Sequence, residues 1–327
     1  MTALPLLTSS RLKTARRCQR EHQLTYGLGY RPAEEPSVMR FGSLMHAGLE
    51  AWWKFTGDGS PLEAALAAMA GEADLYERAK AEALMAGYDA RWAYDFGLYD
   101  VLAVEAQFEA PLVNPATGAA SRTWALGGKI DVLLREKNTG RTIICEHKTS
   151  SEDIRIGSEY WRKLRMDGQI SVYFTGAAAL GYPADACLYD VLKRPALRPY
   201  KATPPEERKY TKDGSLYKTQ RLVDETPEEY RARCMEAIAA APGDYFARGE
   251  VVRLDGEVAD AITDIWQLGR TLQENKIAGR FPRNPDACSR FGRVCHFFPV
   301  CTGEGSLDDP SLFRRLVDVH PELVEAA

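Results

Sequence analysis

Two carboxylates and one amine carry the chemistry most visible in this sequence. Gly127-Gly128-Lys129-Ile130-Asp131 is followed by a turn signal, Asn138-Thr139-Gly140, and then by Ile144-Cys145-Glu146-His147-Lys148-Thr149-Ser150. If the two segments pair as strands, Asp131 and Glu146 come to neighbouring positions, and Glu146 and Lys148, two apart, share one face. Such a set suits hydrolysis of a phosphodiester. The carboxylates hold a hard divalent cation through oxygen, and the cation activates water and offsets charge at phosphorus. The ammonium orients the water or stabilises the developing charge. The bland alternative is a salt-bridged hairpin on a solvated face, but these strands are too apolar for an ordinary exposed edge.

Two further sets have helical spacing. Gln169 and Tyr173 stand at i and i+4 on a predicted helix, hence on one face. Upstream, Gly42, His46 and Glu50 stand at i, i+4 and i+8 on another. A lone helical histidine is ordinarily a core or surface residue, and Glu50 alone a solvated charge. With the downstream residues they read as one site assembled from two helices and a hairpin.

Taken in order, Gly42-x-x-x-His46-x-x-x-Glu50, Gly128-x-x-Asp131, Glu146-x-Lys148 and Gln169-x-x-x-Tyr173 resemble the motif series of RecB-like nucleases in the PD-(D/E)XK superfamily. The likeness spans roughly residues 8 to 301. It implies that His46, Asp131 and Glu146 are ligands of Mg²⁺ or Mn²⁺, with the main-chain carbonyl of His147 as a further ligand. By the same resemblance Lys148 is the catalytic lysine, and Gln169 and Tyr173 line the site and help place DNA. The implied activity is that of a DNA exonuclease or end-processing nuclease in recombination, repair or phage DNA metabolism. Because no phosphate-binding G-x-x-x-x-G-K-[ST] is present, it would need a helicase or recombinase as partner for unwinding, or would act on DNA ends or single strands.

The cysteines add a second resemblance. Cys288, Cys295 and Cys301 lie close together, and Cys18 is the one cysteine near the N-terminus. This distribution resembles the iron–sulfur staple of AddB-type and CRISPR-adaptation nucleases, in which four thiolates hold a [4Fe–4S] cluster that ties the chain ends together. The spacing departs from the commonest family pattern, with six residues between the first two C-terminal cysteines where two are usual. Zinc and free thiols are the alternatives, and no tight cysteine pair of the zinc type occurs. Cys145, Cys187 and Cys234 fall in apolar patterns and are expected in the core.

These residues need a scaffold to position them. The patterning predicts helices over Thr8–Gly27, capped by Ser9 or Ser10, over Val38–Phe55, and over an alanine-rich stretch from Pro61 to about Ala86. Strands are predicted at Val104–Val113, Thr123–Leu134, Arg141–Lys148 and Ala186–Leu192, with a helix over Glu159–Leu180 between the last two. Helices resume at Pro227–Ala241 and Leu254–Ala278. The fold class is therefore α/β: a mixed central sheet flanked by helices, a restriction-endonuclease-like core, with helical N- and C-terminal segments that the cluster would staple. The expected organisation is one nuclease domain over 1–327: an N-terminal helical part (8–100), a catalytic core sheet (101–193), a basic insertion (194–226) and a C-terminal helical and iron–sulfur part (227–327).

The 327 residues, 45% hydrophobic and 27% charged, are ordinary for a globular protein. The apolar run Ala3–Leu7 is too short for an export signal and has no basic residue before it, and no segment approaches membrane-span length. The reading is a cytoplasmic protein whose seven cysteines are reduced or metal-bound. The formal net charge of -4 weighs against a wholly basic nucleic-acid binder, leaving a local basic path as the requirement. Such a path is expected between Lys193 and Arg221, where nine basic residues face Glu206, Glu207 and Asp213 and are interleaved with Tyr200, Tyr210 and Tyr217. A flexible solvated loop is the equal alternative there. Two other functions compete: a non-catalytic iron–sulfur DNA-end-binding subunit of a helicase–nuclease complex, against which the intact Asp131, Glu146 and Lys148 speak, and a zinc-stapled RNA-processing enzyme.

Overall fold

The computed structural model describes residues 4–34, 37–290 and 292–323. Among these, ten strands follow in chain order: β1 (Leu6–Leu7), β2 (Tyr30–Pro32), β3 (Tyr99–Val113), β4 (Ala120–Glu136), β5 (Thr142–Ser150), β6 (Ala186–Lys193), β7 (Phe246–Val251), β8 (Ser289–Arg290), β9 (Arg293–Val294) and β10 (Phe313–Arg315). Six of them make one mixed sheet. β4 pairs antiparallel with β3 along one edge. Its other edge is shared: β1 runs parallel to it at Ala125–Leu126, and β5 runs antiparallel from Val132 onward. β5 and β6 are parallel, and β7 closes the sheet antiparallel to β6. The β5–β6 crossover carries a helix, as a parallel pair requires. The sheet is thus mixed and flanked by helices, as the patterning implied, but it reaches beyond the expected core range 101–193. Leu6–Leu7 is too short to show a period. β7 carries Arg248, which reads as polar until its buried partners Asp95 and Asp190 are known.

Each face of the sheet has its own core. One packs the helices Ser9–Arg17, Gly168–Ala179 and Asp255–Ala278 against Leu126, Ile130, Ile144, Tyr189 and Val191. The other packs the helices Ser37–Lys54, Pro61–Met69, Leu75–Trp92 and Pro227–Ala240 against Val132, Leu134, Ile143 and Cys145. Phe41, Met45, Leu49, Trp52 and Trp53 all turn inward, as their 3.6-residue spacing requires. Each such fully buried side chain contributes about 1.5–3 kcal/mol. Cys145, Cys187 and Cys234 are buried in these cores.

Three predicted helices are divided. Cys18 is extended (φ -159°, ψ 118°) and splits Thr8–Gly27 into Ser9–Arg17, Gln19–His22 and a wider π turn at Gln23–Gly27. The cap is Thr8, not Ser9 or Ser10: its hydroxyl oxygen accepts from the Arg11 amide at 3.3 Å. The alanine-rich stretch stops at Met69 and restarts at Leu75, because Asp74 caps the amides of Tyr76 and Glu77. Glu159–Leu180 is broken before Gly168, where Asp167 caps the Gln169 amide. No helix among the described residues is long and apolar enough to cross a membrane.

Candidate metal centre and its cleft

The site forms where β4 loses one neighbour and gains another. The last β4–β5 pair on this side is Val132–Cys145, after which the strands diverge. The Asp131 carboxylate spans the gap and accepts the His147 amide at 2.8 Å. Beyond the fork lies a cleft of about 570 Å³, lined by His46, Glu50, Asp131, Glu146, Lys148, Gln169 and Tyr173 from the expected set. It is also lined by Glu105, Lys129, Lys13, Thr8–Ser10 and Glu322, which the spacing arguments did not single out. Gly42 and Gly128 line it too. At Gly128 a Cβ would stand 2.8 Å from the Phe108 ring and 3.2 Å from the Tyr173 ring, so only glycine lets both aromatics close on the strand.

Glu146 and Lys148 share the face toward the Gly168–Ala179 helix. The Lys148 ammonium donates to the Glu146 carboxylate and, at 2.9 Å, to Gln169 Oε1. Gln169 Nε2 donates to Glu146 at 2.7 Å and to the Tyr173 hydroxyl at 2.9 Å. Lys13 reaches in from the first helix, 3.3 Å from Gln169 Oε1. Burial first, and then the neighbouring Asp131, raise Glu146 above the usual carboxylate range, with Lys148 opposing. Burial likewise raises Asp131. For Lys148, burial works to lower the pKa, but Glu146 and Asp131 outweigh it and hold the ammonium. His46 Nδ1 stands 3.6 Å from Asp131 Oδ1. Burial lowers the His46 pKa, favouring the neutral ring. Of that side chain, 37% still faces the cleft.

His147 points the other way. Its imidazole is 3% exposed and lies 3.3 Å from Asp190 Oδ2. Asp190 also accepts from the Tyr88 hydroxyl at 2.6 Å and from Arg248 at 3.1 Å, and Arg248 in turn reaches Asp95 at 2.6 Å. Burial opposes ionisation of Asp190, but Arg248 and His147 hold its carboxyl well below the usual range. Ligand atoms of Cys145, His147 and Asp190 come within 4.8 Å of one another. Arg248 already supplies the positive charge there, so this cluster reads as a buried clamp behind β5.

The cleft set fits a hard divalent cation. Single ligand atoms of His46, Glu105 and Asp131 lie within 4.8 Å of one another, and Glu146 Oε2 is buried without a hydrogen-bond partner. Carboxylate oxygens with one imidazole suit Mg²⁺ or Mn²⁺.

Away from the cleft, Cys18, Cys288, Cys295 and Cys301 together line one small cavity of about 20 Å³, beside Glu21 and Phe297. The ends of the chain meet around it. Arg20 N donates to Pro282 O at 3.0 Å, Asn284 Nδ2 to Arg17 O at 2.8 Å, and β10 pairs with β2. The stretch after β6 is irregular and does not line the cleft. Its charge excess is smaller than the local count implies. Arg194 pairs with Glu77, Lys201 with Asp224 and Arg221 with Glu229, acids outside the counted window. Tyr200 lies under the Arg233 guanidinium, 4.0 Å from the ring centre, while Tyr210 and Tyr217 are exposed.

Residues 6–302 match the family model of the PD-(D/E)XK nuclease superfamily, and the chain belongs to that superfamily. No curated protein matches the sequence. Among solved structures, a phage-related exonuclease from Haemophilus somnus 129PT is similar, at 14% identity and TM-score 0.34, with 85% of this chain and 97% of that one covered. The protein SSO0001 is similar at 14% identity and TM-score 0.27, with 74% and 76% covered. At these scores neither likeness adds to the family assignment.

Proposed function

We infer that this protein is a metal-dependent deoxyribonuclease of the RecB-like type, acting on DNA ends or single strands as an exonuclease or end-processing enzyme. The observation that carries the reading is the meeting of His46, Asp131, Glu146, Lys148, Gln169 and Tyr173 in one cleft, although they come from two helices and two strands. His46, Asp131, Glu146 and the His147 carbonyl would hold Mg²⁺ or Mn²⁺. When bound, the cation supplies an activated water and neutralises charge at the phosphoryl group. Lys148 orients that water or stabilises the charge that develops. Gln169 fixes the Lys148–Glu146 pair, and Tyr173 forms the cleft wall beside it. The products would carry a 5′-phosphate and a 3′-hydroxyl.

The convergence of Cys18, Cys288, Cys295 and Cys301 on one cavity supports a [4Fe–4S] cluster that joins the chain ends. The same reading carries a helicase or recombinase as partner.

Purified protein should be incubated with 5′- and 3′-labelled single- and double-stranded DNA in Mg²⁺, Mn²⁺ or EDTA. Stepwise shortening from an end, abolished by EDTA, is the expected result. Tight end binding without cleavage in either metal would replace the enzyme with an end-binding subunit.

A further inference from the structure

Met166 is 87% exposed, and of the large apolar side chains among the described residues only Val317 is more so. Burying a side chain of this size is worth about 1.5–3 kcal/mol, which Met166 forgoes. It ends the Glu159–Arg165 helix, a position with no need of an apolar residue. The junction that carries it is not slack. Arg253 donates to the Arg165 carbonyl at 2.7 Å and to the Asp167 carbonyl at 3.4 Å, on either side of Met166. Asp167 then caps the next helix through the Gln169 amide at 3.0 Å and pairs with Lys13 at 3.2 Å. An apolar tip is thus presented to solvent on a fixed support.

That support stands at one end of the cleft and is basic. Gln169 and Lys13 line the cleft. Three residues of chain span at most roughly 10 Å, so Met166 is within reach of the nucleotides next to one held at Glu146 and Lys148. Lys13 and Arg16 lie three apart on the first helix, and the Arg16 guanidinium is 3.3 Å from where a Cβ on Gly168 would stand. Arg162 and Arg165 belong to the helix that Met166 ends. Lys13 is offset by Asp167 and Arg162 by Glu159, but Arg16 and Arg165 make no ion pair among the described residues, and both are exposed. One methionine ringed by cations does not fit a protein partner, whose contact needs a contiguous apolar centre. It fits a nucleic-acid strand, because cations take phosphates and a thioether packs on the ring of a base.

We propose that the DNA strand beside the cleaved phosphate runs across this junction. Arg16 and Arg165 hold its backbone, and Met166 packs against a base that has left its stack. Because that base must be unstacked, Met166 favours a single strand or a frayed end over intact duplex. The proposal rests on the nuclease reading and adds to it a preference and the residue that sets it.

Binding is measured on the full chain in EDTA, so that no cleavage intervenes, with oligonucleotides carrying 2-aminopurine at successive positions from either end. Wild type should brighten the probe at one or two positions of a duplex end and should prefer single strands. Met166→Ser should lose the brightening and bind single strands about two- to tenfold more weakly, the fold-change of one sulfur–ring contact. Met166→Leu, which keeps the apolar tip, should behave as wild type. Arg16→Ala with Arg165→Ala should flatten the slope of log affinity against log salt by about 1.4 units, at about 0.7 per contact on a single strand. All of these variants should keep the wild-type circular dichroism, since the changed side chains are exposed. No brightening in wild type, brightening retained in Met166→Ser or lost in Met166→Leu, or an unchanged slope in the arginine variant would overturn the proposal. In each of those cases DNA that is still bound, and cut once Mg²⁺ is added, leaves the nuclease reading intact. Wild type that binds no DNA removes both.

Discussion

The proposed function gives Lys148 two separable duties, and Lys148→Met distinguishes them. In the ion-free protein the ammonium is the counter-ion of a carboxylate that is 2% exposed, and it is itself only 22% exposed. At contact distance and an effective dielectric near 20, the attraction is about 4 kcal/mol. Relief of the lysine's own desolvation returns part of that, leaving a loss of about 3 kcal/mol. A ceiling exists, because Glu146 can take a proton instead. Protonating a carboxylate of ordinary pKa, about 4.3, costs about 4 kcal/mol at pH 7.5 and about 1 kcal/mol at pH 5. The lost interaction exists only when Glu146 is charged. The damage is therefore present above the raised range in which Glu146 titrates, about 7, and fades as pH falls through it. Urea unfolding of Lys148→Met should show a loss that grows toward about 3 kcal/mol as pH rises well above 7, at most about 1 kcal/mol lost at pH 5, and recovery at the higher pH when Mg²⁺ is added. Cleavage should stay at least about a thousandfold down even where the metal restores stability, since a missing catalytic group commonly costs several kcal/mol of transition-state stabilisation. A loss of stability that ignores both pH and metal would refute the counter-ion argument. Near-wild-type cleavage would refute the catalytic one.

Replacing any of Cys18, Cys288, Cys295 or Cys301 with Ser should bleach anaerobically purified protein and remove its roughly four irons per chain, whereas Cys187→Ser and Cys234→Ser should leave iron content unchanged; stoichiometric zinc without iron in wild type would reject the cluster. Asp190→Asn should cost about 3 kcal/mol in urea unfolding, the low end for breaking a buried ion pair, because Arg248 keeps Asp95; a loss below about 1 kcal/mol would mean that the clamp behind β5 is dispensable. Lys209, Lys212 and Lys218 make no ion pair among the described residues, so changing all three to Ala should flatten the slope of log affinity against log salt by roughly two to three units if the loop grips DNA. An unchanged slope would move the DNA path to the first helix, where Lys13 and Arg16 are exposed.

Glu146-x-Lys148 was legible because it is local: a strand period of two fixes a shared face whatever the rest of the fold does. Asp131 needed one further inference, a hairpin, and the turn at Asn138–Gly140 supplied it. Gln169 and Tyr173 needed only the helical period, even though Asp167 starts that helix later than the pattern predicts. Glu105, which lines the cleft with a left-handed backbone (φ 53°), had no such signature. Its neighbours alternate like any strand, and nothing in a glutamate announces a left-handed backbone, which belongs as a rule to Gly or Asn. β7 was missed for a related reason. The apolar pattern breaks at Arg248, and only Asp190 and Asp95, distant in sequence, make that charge buriable. The charge of the basic loop is the opposite case, overstated by a local count. A net charge counted along the chain ignores Glu77 and Glu229, acids on the helices against which the loop packs.

The fork in the sheet ties these features together. β4 is paired along β3 on one edge, but its other edge is given to β1 up to Leu126 and to β5 from Val132. The residues between, Gly127 to Asp131, have no strand on that side, and a cleft is available without breaking the sheet. Because β1 ends at Leu7, Thr8 follows at once as a helix cap, and the start of that helix is delivered to the cleft rim together with Lys13. Because β5 leaves β4 at Cys145, Glu146 and Lys148 lie just past the last pairing, and the Asp131 carboxylate replaces the missing strand as acceptor of the His147 amide. On the opposite face of β5 the His147 ring is gripped by Asp190, so the diverging segment is held from behind as well. The strand that positions Glu146 and Lys148 is therefore fixed on one face by a buried ion network and left open on the other, an arrangement suited to the proposed site, which must keep its geometry while admitting an extended polyanion.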